Sequence, residues 1–134
     1  MKTYALRLRP GQDLKAELIQ FTQQQGLQAG IILTCVGSLQ KTAVRLAGKD
    51  TLRNWDQPVE IVSLVGTLSA EGAHLHLSIA DGEGNSFGGH LVDGCLVYTT
   101  AEIAIGDLED LKFIRAVDPA TGYKELEVGE RFGK

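Results

Sequence analysis

The sequence predicts a mixed α/β chain of the α+β type, a mainly antiparallel β-sheet covered by one main helix. Three observations predict it. Only Asp13 to Gln25 carries a clear helical periodicity. Several short runs rich in Val, Ile, Leu and Thr end at glycines, as strands do. The connections between them are short and rich in Gly, Asp, Asn and Pro. With 134 residues, 43% of them hydrophobic and 22% charged, the chain reads as a single domain over residues 1–134.

Thr3 to Leu8 alternates polar and apolar residues and is expected as the first strand. In the helix, Leu14, Leu18 and Phe21 fall on one face, Asp13 suits the N-cap and Gly26 the position after the last turn. Ala29 to Leu39 reads as a buried strand, and Thr42 to Ala47 as a separate one. Gly48 to Pro58 is polar and loop-like, with Trp55 its one large apolar residue. Val59 to Leu68 is a strong strand candidate. Ala73 to Ala80 and Phe87 to Val92 form a proposed hairpin, and Leu96 to Ile105 another long strand. Leu108 to Ile114 fits either a short helix or a strand. Asp118-Pro119-Ala120-Thr121-Gly122 is a turn, because Pro sets φ, Asp bonds locally and Gly relieves strain. Tyr123 to Val128 is the last expected strand.

The formal net charge is -4 and no stretch concentrates Lys and Arg. A surface that grips duplex DNA usually carries a basic patch, so charge gives DNA binding no support. No apolar run approaches the about 20 residues of a membrane span. Met1 to Arg7 is no signal-peptide core, so a cytoplasmic location is expected. Cys35 and Cys95 sit among apolar residues and are expected as buried free thiols.

All three histidines, His74, His76 and His90, lie in the proposed hairpin. Residues two apart on a strand share a face, so His74 and His76 present their rings side by side. If Asp81 to Asn85 form a five-residue loop, Ala80 faces Ser86 and His76 faces His90. A four-residue loop would turn His90 to the other face. Imidazole is the commonest side-chain ligand for zinc and similar metals. Three neutral imidazoles leave a fourth tetrahedral position open, as in hydrolytic and hydration metalloenzymes. The competing reading is three half-buried histidines on a polar sheet face.

Other candidates are weaker. Glu102, inside an apolar strand, is read first as facing solvent or an interface and second as orienting a metal ligand or acting as a general base. Ser78 shares the parity of His74 and His76, although a plain sheet hydroxyl explains it. Gly88 and Gly89 leave little bulk beside His90, which marks a bulge or a close approach by backbone or ligand. Gly82-x-Gly84 joins two strands with no helix after it and is no dinucleotide fingerprint.

Together these segments resemble the plant and prokaryote conserved (PPC) domain family, also labelled PD1-like DNA-binding. The likeness is carried by Ile32 to Leu39, Val59 to Gly66, His74 to Asp81, Gly88-Gly89-His90-Leu91, Ala101 to Gly106, and Asp118-x-x-Thr121-Gly122-Tyr123-x-Glu125-Leu126. The resemblance implies a PPC-domain fold, usually assembled as a homotrimer. It also implies a metal site, because the family's His-x-His and Gly-Gly-His positions match His74, His76 and His90. Plant members join the domain to AT-hook segments, and Arg7-Leu8-Arg9-Pro10 is not one. The expected function is that of a stand-alone DNA-binding or regulatory protein with a divalent metal, zinc foremost. The alternatives are a small metalloenzyme with an open three-His zinc centre, and a protein-association module that binds no DNA.

Overall fold

The computed structural model describes residues 1–132. Along them run β1 (Lys2–Leu8), α1 (Leu14–Gln25), β2 (Gly30–Arg45), β3 (Leu52–Trp55), β4 (Val59–Ser69), β5 (Gly72–Ala80), β6 (Ser86–Leu91), β7 (Leu96–Asp107), β8 (Leu111–Val117) and β9 (Lys124–Glu130). The first seven strands form one sheet in the order β1-β7-β2-β4-β5-β6, with β3 paired to β2 off that path. Every pairing is antiparallel, and β8 and β9 form a separate hairpin. The far end of β2 also pairs β6, closing a ring of four strands, β2-β4-β5-β6. The antiparallel sheet forms as expected, accompanied by a single short helix.

Three element assignments change. Ala29–Leu39 and Thr42–Ala47 are not two strands: β2 runs unbroken for 16 residues. Gln40-Lys41 resembles a break because it is polar, but no turn-former follows it. Register shifts against β7 at Ile32/Thr34, Gly37/Leu39 and Leu39/Lys41 let β2 bend and change partners instead. Its first half lies between β4 and β7, and its last residues lie between β3 and β6. The supposed loop Gly48–Pro58 contains β3. Trp55 buries there against Phe87, ring centroids 5.5 Å apart, and the Arg53 guanidinium covers both rings at 5.0 and 5.4 Å. The ambiguous Leu108–Ile114 segment resolves as β8. Phe113 buries, and its amide donates to the Gln28 carbonyl at 2.8 Å.

The helix packs through Leu14, Leu18 and Thr22, not Leu14, Leu18 and Phe21. The Thr22 hydroxyl donates to the Leu18 carbonyl at 2.8 Å, so it is buried without an unpaired donor. Phe21 sits half-buried at the edge, against Tyr4 in a T-shaped pair at 5.7 Å. Asp13 caps the helix by accepting from the Ala16 amide at 3.1 Å. Its second oxygen accepts from Gly94 at 2.7 Å and ties the helix start to the turn before β7. The core beneath joins Leu14 and Leu18 to Leu39, Val44, Leu68, Leu75, Ile79, Leu91, Val97 and Ile105. Both cysteines are free. Cys95 is buried, and burial pushes its thiol pKa up to about 11. Its Sγ donates to the Ala43 carbonyl at 3.2 Å, while Cys35 is only half-buried. No helix among the described residues is long and apolar enough to cross a membrane.

The β8–β9 hairpin is fastened to the sheet by a little-exposed ion pair. Arg131 grips Asp107 with two nitrogens, at 2.8 and 3.2 Å, and donates to the Leu108 and Leu111 carbonyls at 3.3 and 3.0 Å. Asp107 also accepts from the Ala29 amide at 3.3 Å. Asp107→Ala leaves the Arg131 charge without its counter-ion, a change that costs about 3 kcal/mol or more when one member of a buried pair is removed. Urea denaturation should show that loss, and limited proteolysis should cut residues 111–130 faster. Unchanged stability and cleavage would show that the pair does not fasten the hairpin.

Candidate metal centre

The turn between β5 and β6 sets the histidine face. Asp81 Oδ1 accepts from the amides of Glu83 and Asn85, both at 2.9 Å. The Asp81 amide donates to the Asn85 carbonyl at 3.0 Å and closes the loop at five residues. Donation from the Glu83 amide foremost, with Asn85 adding to it, holds the Asp81 carboxyl below its ordinary pKa. Ala80 therefore pairs Ser86, and four ladder steps further His76 pairs His90. His74 follows two residues along the same face of β5.

The three rings meet. Centroids of His74 and His76 lie 5.0 Å apart, of His74 and His90 5.4 Å, and of His76 and His90 5.7 Å. One ring nitrogen from each can be chosen so that all three lie within 4.8 Å of one another. His74 and His76 are exposed and His90 is half-buried. Burial, then the nearby Arg45 charge, depresses the His90 pKa from 6.5 to about 4. Burial first, then His76 and Arg115, lowers that of His74, against an opposing pull from Glu125. The proton-free imidazole is the form that ligates metal, so these shifts favour the ligand form.

Glycines permit this arrangement. A Cβ on Gly88 would run into the Leu77 carbonyl of β5. A Cβ on Gly89 would stand 2.6 Å from the Arg45 carbonyl of β2. The close approach expected at Gly88 and Gly89 is therefore made by protein backbone on both sides of β6. Gly66 plays the same part on β4, at φ 146°, where a Cβ would strike the His74 carbonyl. Its place opposite Leu75 and next to the Thr67–His74 pair was not singled out in the sequence.

The remaining candidates are placed differently. Ser78 lies on β5 between Ser63 and Gly88, two residues beyond His76. Glu102 lies on β7 opposite Arg7 and Val36, and accepts from the Thr100 hydroxyl at 3.3 Å. It lines a shallow hollow with Ala5, Thr34 and Ala104, and the chain does not bring it beside the histidines. Arg45 and Arg115, which no motif marks, and Glu125 stand nearer. Arg45 pairs His90 across β2 and β6. Arg115 donates to the Thr67 hydroxyl at 2.9 Å, and Thr67 pairs His74. Together with Glu125 from β9 they line a cleft of 690 Å³ that His74 and His90 also line. The signal for Glu125 was present in the Tyr123-x-Glu125 pattern, but only the hairpin's docking shows which way it leads.

A family model described as the Plants and Prokaryotes Conserved (PCC) domain matches residues 1–109. Two curated relatives from Synechococcus strains, both named bifunctional protein GlmU, are 50% identical over 128 residues, or 96% of this chain. The chain spans only about a fifth of their length (21% and 20%). A solved structure of a hypothetical protein from Salmonella cholerae-suis (Salmonella enterica) matches with a TM-score of 0.96 and 43% identity, over 98% of this chain and 95% of that one. A plant- and prokaryote-conserved protein of Pyrococcus horikoshii matches with a TM-score of 0.79 and 29% identity, over 95% of this chain and 92% of that one.

The depressed His90 pKa has a sign that can be checked. Above pH 6.5 both folded and unfolded chains hold the ring neutral. Between 6.5 and about 4 the unfolded chain takes up a proton that the folded one refuses, so stability falls as the pH falls. Chelator-treated protein should show this loss in urea denaturation, and His90→Asn should show less of it. The same pH dependence in both proteins would refute the assignment.

Proposed function

The chain belongs to the Plants and Prokaryotes Conserved domain family, and from that footing we propose that it is a metal-binding member of the fold that works as a homotrimer. His74, His76 and His90 hold one divalent ion, zinc foremost. The observation that carries this reading is the convergence of three imidazoles within 4.8 Å on one face of the β5–β6 hairpin. All-nitrogen donor sets of this kind suit zinc, copper and nickel, and zinc accepts three protein ligands with a fourth place open. Bound there, the ion supplies a Lewis acid. The chain's own residues favour the unprotonated form of His74 and His90, fix the spacing of the three rings and wall the cleft beside them. Assembly draws support from apolar side chains left exposed on the sheet, among them Leu33, Val36, Val62, Val65 and Tyr98. With a net charge of -4, general attraction to a nucleic-acid backbone is not what the chain offers. A regulatory role through metal-dependent association, in the cytoplasm, fits better than direct grip on duplex DNA.

Elemental analysis of the purified protein should find about one zinc or similar ion per chain. The triple variant His74→Ala, His76→Ala, His90→Ala should hold none, with its far-UV circular dichroism unchanged. Equal metal in both proteins would remove the site. Light scattering should give three times the 14.4 kDa chain mass. Titration with duplex DNA separates the alternative, since a DNA-binding protein would show an affinity falling steeply with salt.

A further inference from the structure

We propose that the cleft lined by His74 and His90 binds a small oxyanion, a phosphate or carboxylate group, held by Arg45 and Arg115. The two arginines come from different parts of the fold and flank the trio on opposite sides. Arg45 pairs directly with His90 at the end of β2. Arg115 reaches from β8 to the Thr67 hydroxyl, beside His74. Both line the same 690 Å³ cleft with His74 and His90. The ion pairs among the described residues are Met1–Glu109, Lys41–Asp56 and Asp107–Arg131, and neither arginine takes part in one.

Two guanidiniums outside any ion pair among the described residues, beside a three-imidazole centre, are a poor arrangement for a metal site that serves structure alone. Each like charge works against the binding of a cation. The arrangement is favourable once an anion shares the space. A guanidinium offers a planar fork of donors that matches the oxygens of phosphate and carboxylate. Lys49 and Lys124 add positive charge at the cleft margin, against Asp50, Glu71 and Glu125. Glu125 limits the anion's size and orientation, because a group pressed towards β9 would meet its carboxylate. The cleft is thus locally cationic on a chain whose formal charge is -4. Its volume exceeds what one oxyanion fills, which leaves room for the organic remainder of a larger molecule.

This inference rests on the metal reading, since the bound ion adds to the charge of the two arginines. Its test uses the full chain loaded with zinc, checked by elemental analysis, and titrated by calorimetry with inorganic phosphate and, separately, acetate. Saturable binding of either is expected, and the tighter one names the class of ligand. Arg45→Gln and Arg115→Gln should each weaken it by about tenfold, the weight of one charge-assisted hydrogen bond, with zinc content unchanged. Lys112→Gln, exposed on the other face of β8, should leave it unaltered. Arg45 is exposed, so its variant keeps the test open if loss of the Arg115–Thr67 bond disturbs the fold. Zinc retained with no response to either anion overturns this proposal alone. Undiminished binding in Arg45→Gln overturns it as well. Failure of the wild-type chain to hold metal removes the metal reading and this one with it.

Discussion

The histidine face depends on β6 lying against two backbones at once. On one side β5 fixes its register through the Asp81 turn, and on the other the end of β2 closes the ring. Side chains at Gly88 and Gly89 would hold both neighbours off. With them absent, His90 is pinned between His76 and Arg45. The convergence of three rings is thus a property of backbone packing. It does not rely on long side chains finding one another, which lowers the entropy lost when a ligand arrives.

Electrostatics and packing pull in the same direction at this place. Burial foremost, with Arg45 at His90 and Arg115 at His74, disfavours the protonated form of these two imidazoles and leaves a lone pair exposed on each. The same arginines would repel a bare cation. Three neutral nitrogens and an anion between two guanidiniums would satisfy the whole set of charges. Neither half of that balance is as favourable without the other.

Much of this was legible in the sequence. The parity of His74 and His76, the turn chemistry of Asp81 to Asn85 and the glycines before His90 are local signals, and they led to the observed register. The helix was legible too, through Asp13 and Gly26, although Thr22 took the inward place assigned to Phe21. What was not legible depends on distant partners. Gln40-Lys41 looked like a break because the bulges that carry β2 past it are defined only by pairing with β7. β3 was hidden because Arg53 and Trp55 make sense as a strand only against Phe87 and Thr42. Arg45 and Arg115 lie far from the histidines in sequence, and no periodicity announces that they meet.

The hairpin of β8 and β9 lies beyond the stretch matched by the family model and is joined to the sheet near Asp107 and Arg131. The imidazoles belong to the sheet, whereas Arg115 and Glu125 belong to the hairpin. Ring donors and cleft wall therefore come from separate pieces of the fold. Substitutions in the hairpin can retune which molecule is admitted while the ring geometry stays as it is. An edit to the last two strands therefore reshapes one wall of the cleft without moving the rings that face it.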